Sequence, residues 1–277
     1  MLDWFLSQSK IKLATDNKYS KSTDQLGREV VIRSPLKRIV SVVPSQTELL
    51  FDLGIGESVV GVTWFCIHPQ EAMEKHKVGG TKSLKLEKIA ALNPDLIIAN
   101  KEENAQEQIE WLAERFPVWI SDIKVLDDAT AMIKSIGDIT GKSLKANEII
   151  EDINVVFDRL KSEKALHALY LIWKHPYMSI GSDTFIHHMM LRAGFINVMG
   201  SLIRYPEVSE NEIKKINPEI VLLSSEPYPF KQKHVLELQK LLPDSEIRLV
   251  NGEMFSWYGS RLIKAGEYFD KALGVRN

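Results

Sequence analysis

Apolar and polar positions along this chain follow two rhythms, and one combination of them occurs twice. Residues 87–99 read Glu87-Lys-Ile-Ala-Ala-Leu-Asn93-Pro94-Asp95-Leu-Ile-Ile-Ala99, and residues 211–223 read Asn211-Glu-Ile-Lys-Lys-Ile-Asn217-Pro218-Glu219-Ile-Val-Leu-Leu223. Each is a short amphipathic helix, an Asn-Pro stop, an acid, and an apolar run. Proline cannot continue a helix, and it pushes the residue before it out of the α region. The apolar runs lack alternation, as expected of parallel strands covered on both faces. Two such units 124 residues apart predict two α/β lobes of similar build, and a cleft between lobes is where a small molecule binds.

The rest of the pattern fits this scheme. A polar lead-in of about 35 residues carries a short strand or hairpin near Val30–Ile32. The β-branched run Arg38–Val43 predicts a strand that ends at Pro44, followed by a helix over Glu48–Leu53, capped by Ser45 or Thr47 and stopped by Gly54. A strand at Ser58–Val62, a loop at Thr63–Pro69, a helix from Asn104 to Arg115, a strand at Val118–Ile120 and a helix over 126–141 complete a first lobe, residues 1–142. From Ser143 to Lys164 the apolar positions Ala146, Ile149, Ile150, Ile153, Val156 and Leu160 step by three or four, which marks one helix face. A helix of that length spans roughly 33 Å and reads as a strut over 143–165 joining the lobes. Residues 166–277 repeat the grammar: a strand at Ala168–Ile172, a helix over Asp183–Ala193, the second Asn-Pro unit, a helix around Val235–Leu242, a strand at Ile247–Val250 and a terminal helix over Ser260–Leu273. The fold class is therefore α/β, two Rossmann-like lobes with parallel sheets joined by one long helix.

Composition narrows the function. A hydrophobic content of 44%, 26% charged residues and a net charge of −2 are globular values, with no basic cluster to suit nucleic acid. No run reaches the roughly 18 apolar residues of a membrane helix. The single cysteine, Cys66, excludes an intrachain disulfide and reads as a packed small residue. Asp3 interrupts the first apolar stretch, so residues 1–10 make a poor export signal, and no lipidated cysteine stands near them.

At this point the residues resemble a family. Arg38-Ile-Val-Ser-Val-Val-Pro-Ser45-x-Thr47-Glu48-Leu-Leu-x-x-Leu-Gly54, Val59-Val-Gly-Val-Thr63, Val78-Gly-Gly80 and Leu86-Glu-Lys-Ile-x-x-Leu-Asn-Pro-Asp95 are similar to the helical-backbone solute-binding proteins of bacterial ABC importers. The resemblance covers residues 25–275. Within the family it is nearest to the vitamin B12 binders, through Ala99-x-x-x-x-Asn104-Ala105 and Tyr205-Pro-x-Val-Ser209. It implies a monomer that closes only slightly on cobalamin, haem or a ferric siderophore, with no intrinsic cofactor. It also implies a glutamate on each lobe that docks onto the transporter permease. The first falls on Glu87, seven positions before Pro94; the same count from Pro218 gives Asn211, flanked by Glu210 and Glu212. The resemblance implies the periplasm, whereas the lead-in carries no signal or lipobox and by itself would leave the chain in the cytoplasm. A cytoplasmic carrier or sensor of the same fold therefore stands as the alternative, and whether Met1 is the native start stays open.

Ligands of open α/β sheets sit beyond the carboxyl ends of the strands. That rule selects Trp64, Phe65, His68 and Asn104 in the first lobe, and Trp173, His175, Tyr177, Phe255, Trp257 and Tyr258 in the second. Flat aromatic walls suit a corrin or porphyrin, with Tyr258 and His175 as polar or axial contacts; the competing reading is that these rings pack under their loops. His187 and His188 are adjacent and diverge on a helix, and Cys66-Ile-His68 has no second pair, so no protein-ligated metal site is expected. Catalysis is not expected either: Gly181-Ser182-Asp183 with His187 lacks the G-x-S-x-G elbow, and no phosphate-cradling glycine motif is present.

Overall fold

The two Asn-Pro units do the same mechanical job in both halves of the molecule. In a computed structural model, which describes residues 18–160 and 165–272, Asn93 and Asn217 both end their helices in the left-handed conformation, with φ of 44° and 46°. Asn is among the few residues that adopt it readily. The acid that follows ties down the start of a neighbouring strand. Asp95 Oδ2 accepts from the Lys37 and Arg38 amides at 2.7 and 3.0 Å, and Glu219 Oε2 accepts from the His167 amide at 2.8 Å.

Each lobe is built on a parallel sheet. In the first, the strands run 76–77, 59–62, 39–41, 96–100, 118–121 in spatial order, which reverses between 39–41 and 96–100, the first and fourth strands of this sheet in chain order. The second sheet runs 195–197, 166–171, 220–224, 246–250, with its reversal between 166–171 and 220–224. The lead-in hairpin, Lys18–Thr23 with Glu29–Ser34, covers the 118–121 edge: Arg28 Nη2 donates to the Val118 carbonyl at 2.8 Å and the Gln25 amide to Ile120 at 3.1 Å.

The uniform apolar strands are buried on both sides. Leu96 and Ile98 face one core cluster, and Ile97 and Ala99 face another. Ala168, Tyr170, Ile220 and Leu222 join the same cluster as Leu96, while Leu169, Leu171, Val221 and Leu223 face a third. The inner faces of both sheets thus merge into one continuous core. It is filled by helices α4 (Leu126–Ile139), α5 (Ser143–Asp158), α6 (Phe185–Arg192) and α10 (Leu262–Ala272).

Three sequence expectations need correction. Helix α1 starts at Pro44 and runs to Asp52, with no side-chain cap from Ser45 or Thr47. Proline at the first helical position has its φ preset and lacks an amide that would go unused there. Helix α5 ends at Asp158, short of the expected Lys164. An acid at a helix C-terminus opposes the macrodipole, and Arg192 Nη2 reaches in to the terminal carbonyl of Phe157 at 3.1 Å. The end of the expected strut, 161–164, lies outside the described residues, as do the first 17 residues and Leu273. Helix α6 starts at Phe185, because Thr184 caps it by accepting from the His187 amide at 3.2 Å.

Candidate ligand-binding cleft

The loops at the carboxyl ends of the two sheets meet each other, and charged and aromatic side chains make the meeting points. At one end Arg204, beyond the 195–197 strand, forms a two-pronged ion pair with Glu102, beyond the 96–100 strand, at 2.7 Å on each prong. At the other end His68, beyond the 59–62 strand, lies 3.3 Å from Glu253 and edge-on to Trp257, ring centroids 5.6 Å apart. On the floor Arg261 donates to both Glu48 oxygens, at 2.7 and 2.9 Å, and to Glu253 at 2.8 Å. Its guanidinium also lies 4.8 Å from the Trp257 ring centre. Gly259 permits the close approach of this floor to α1. Its φ is +147°, and a Cβ there would stand 2.9 Å from the Ser45 carbonyl.

The ten residues selected from sequence divide into three groups. Trp64, Phe65 and Trp173 are 54, 58 and 41% exposed, which leaves ring faces free for a ligand. Cys66 turns inward between Thr47 and Thr63, 3.2 Å from each hydroxyl, and so holds the base of the loop that presents Trp64 and Phe65. Burial raises its thiol pKa. Trp173 is braced edge-on by Tyr228, 5.6 Å away in the loop after the 220–224 strand.

His68, Trp257 and Tyr258 form a second group, at the contact between the lobes. Trp257 donates its Nε1 to Glu226 at 3.0 Å. Tyr258 is 4% exposed and packs edge-on against Phe185, with the Ser45 hydroxyl as the polar neighbour of its own hydroxyl.

In the third group three side chains are taken up in bracing or packing and one stands at an exposed turn. Asn104 is consumed as a brace: its Nδ2 donates to the Val42 and Thr81 carbonyls at 3.1 Å each, and its Oδ1 accepts from the Asn100 amide at 2.8 Å. Phe255 is fully buried between Tyr170 and Phe269, ring centroids 5.1 and 4.9 Å away. Tyr177 pairs with Val208 and packs in the outer core of the second lobe. His175 sits at the exposed tip of the turn between Trp173 and Met178, with a φ of +68°.

What sequence reading passed over is the charge. Glu102 and Glu103 stand in the same loop as Asn104, and Glu226 follows the 220–224 strand, so the carboxyl-end rule applied to them equally. Glu103 is raised to about 7, first by burial and then by Glu226 across the cleft. Glu226 is raised by burial, against the hydrogen bonds it accepts from Ser256 and Trp257. Tyr205 is pushed up to about 12 by burial and by Glu102.

Outside the cleft, Glu87 is exposed at the second position of helix α2 (Leu86–Ala91), where α7 (Glu210–Ile216) carries exposed Asn211. Glu210 is also exposed. Glu212 is occupied in a capping box, its Oε2 accepting from the Ser209 amide and hydroxyl at 2.7 and 2.6 Å, which lowers its pKa. Among the described residues no group of three or more His, Cys, Asp or Glu side chains could hold a metal ion, and no helix is long and apolar enough to cross a membrane.

Comparison with known proteins adds to this geometry. A family model described as a periplasmic binding protein matches residues 39–241. The vitamin B12-binding protein of Pectobacterium carotovorum subsp. carotovorum (strain PC1) is 25% identical over 240 residues, covering 83% of this chain and 86% of its own. The uncharacterized ABC transporter substrate-binding lipoprotein YvrC of Bacillus subtilis (strain 168) is 26% identical over 226 residues, 77% of this chain and 72% of its own. Among solved structures, a periplasmic haem-binding protein from Pseudomonas aeruginosa superposes with a TM-score of 0.75 at 22% identity, over 86% of this chain and 92% of that one. At that identity the likeness is one of fold.

Proposed function

The chain belongs to the periplasmic binding protein family, and on that premise we propose that it is the solute-binding component of an ABC importer, holding a corrinoid or another metal chelate between its lobes. The observation that carries this reading is the pairing of the two sheet reversals. Each sheet reverses its strand order once, and the exposed rings of Trp64 and Phe65 follow a strand of one lobe while that of Trp173 follows a strand of the other. Exposed rings of this size are costly to leave in water, and they suit a broad, flat ligand. The names of the vitamin B12-binding and ABC transporter relatives support the same cargo class and partner.

Binding needs no covalent step. The rings cover the faces of the ligand, and the Arg204–Glu102 and His68–Glu253 contacts at the two ends of the cleft limit how far the lobes part. Glu87 docks the first lobe on a permease. In the second lobe that charge falls to Glu210, since Asn211 is uncharged and Glu212 is engaged with Ser209.

Titration with cyanocobalamin, haemin and ferrioxamine B, read by tryptophan quenching and calorimetry, tests the proposal. Saturable one-to-one binding of at least one of them is expected, weakened about tenfold or more by Trp64→Ala or Trp173→Ala. No binding of any of the three, or binding untouched by both substitutions, overturns it.

A further inference from the structure

The two guanidinium groups in the cleft are each shared by two carboxylates. Arg204 serves Glu102 and also reaches Asp183, whose Oδ1 accepts its backbone amide at 2.5 Å and whose Oδ2 lies 3.9 Å from Nη1. Arg261 serves Glu48 and Glu253. Two further carboxylates, Glu103 from the first lobe and Glu226 from the second, have no cation at ion-pair distance among the described residues. The ammonium nearest Glu103 in charge, that of Lys82, is bonded to the Glu102 and Asn104 carbonyls. Glu226 accepts from neutral donors, Ser256 Oγ at 2.7 Å and Trp257 Nε1 at 3.0 Å. Near Glu103 the Tyr258 hydroxyl is buried, with the Ser45 hydroxyl as its polar neighbour.

From this arrangement, and resting on the binding reading above, we propose that the cleft selects by charge: it takes metal chelates of zero or positive net charge and rejects those bearing carboxylates or catecholates. An anionic ligand would bring further negative charge to a cleft where Arg204 and Arg261 are each already shared by two carboxylates and where Glu103 and Glu226 stand half-buried. A neutral or cationic chelate, with amide or ammonium donors at its rim, instead adds donors to two carboxylates that no cation pairs. Glu103 and Glu226 are thus specificity determinants, distinct from the aromatic walls that recognise shape.

The test is a charge series on the full chain at pH 8 and moderate salt: ferrioxamine B (cationic), cyanocobalamin (neutral), haemin and ferric enterobactin (both anionic), each titrated against wild type, Glu103→Gln, Glu226→Gln and the double variant. Circular dichroism checks that each variant is folded. The expected result is binding of the cationic or the neutral chelate at least tenfold tighter than either anionic one. Each single substitution narrows that gap several-fold and the double variant closes most of it. An anionic chelate that binds as tightly as the best of the others overturns the proposal, as does a gap that survives the double substitution. Failure of all four to bind refutes the cargo class, and the charge rule with it, whereas binding in the wrong order refutes the charge rule alone.

Discussion

Arg261 is the sharpest place to test the energetics of the cleft floor. Its side chain is 6% exposed and the Glu48 side chain that it grips is 5% exposed, so water cannot replace either partner. Substitution Arg261→Met keeps the bulk of the side chain and its packing on Trp257, but leaves Glu48 with only the Lys264 ammonium, 3.4 Å from its Oε1, and half-strands Glu253. Removing one member of a buried pair costs about 3–5 kcal/mol, because the remaining charge stays desolvated. In a chain of this size each kcal/mol lowers the melting midpoint by about 2–4 °C, so a fall of roughly 6–20 °C is expected. Glu48→Leu should cost a similar amount. The double variant Glu48→Leu/Arg261→Met should sit within about 2 kcal/mol of wild type, since an apolar pair of similar volume is an adequate substitute and Glu253 keeps contact with solvent and with His68. The assay is urea denaturation of the four proteins at pH 7.5, followed by circular dichroism, with the coupling energy taken from the cycle. Single variants that each cost less than about 1 kcal/mol, or losses that simply add in the double variant, would refute the claim that this knot is a desolvated, interdependent unit.

Two other predictions follow from the same charges. Glu103 is uncharged in folded and unfolded chains below its ordinary value of 4.5; between there and about 7 only the unfolded chain ionises, so its contribution to stability falls as pH rises. The stability difference between Glu103→Gln and wild type should therefore be flat at acid pH, grow through that window in favour of the variant, and level off above it at about 3 kcal/mol at most; a difference that does not change with pH would refute the assignment. Arg204→Ala, which unlatches a partly exposed pair, should change stability by less than about 1 kcal/mol yet speed ligand association several-fold in stopped-flow quenching; an unchanged association rate would show that the pair does not gate the mouth.

The sequence revealed the two-lobed plan because doubly buried strands must be apolar throughout, as Leu96–Ala99 and Ile220–Leu223 are, and because Asn-Pro-acid units end one element and anchor the next within a few residues. Those are local constraints, and local constraints leave local signals. The carboxyl-end rule found the loops for the same reason, but it could not tell which way a loop residue turns. Phe255 and Tyr177 follow strands as Trp64 and Trp173 do, and they face cores that form only when distant segments pack. The cleft charges were hidden more deeply. Glu102 and Arg204 are 102 positions apart, and Glu48 and Arg261 are 213 apart, and in isolation each looks like any solvated charge. Only the sign of the residues left unpaired, Glu103 and Glu226, was present in the sequence, without the neighbours that give it meaning.

The contrast between floor and mouth bears on how such a cleft can work. Ile98 and Leu50 of the first lobe belong to the same continuous core as Tyr170 and Leu222 of the second, together with Ile153 and Phe157 of α5, so wide separation of the lobes would open that core to water. At about 25 cal/mol per Å² of apolar surface, exposing even about 200 Å² would cost about 5 kcal/mol, comparable to the whole stability of many domains. The buried Arg261 knot adds to that resistance. At the mouth, by contrast, Arg204 and Glu102 have side chains that are 50 and 30% exposed, and a pair of that kind yields for less than about 1 kcal/mol. Motion should therefore concentrate at the rim, with the His68 and Arg204 contacts breaking and reforming over a rigid base. A binding protein built this way recognises its ligand with a nearly preformed surface, so that little of the binding free energy is lost to ordering the chain.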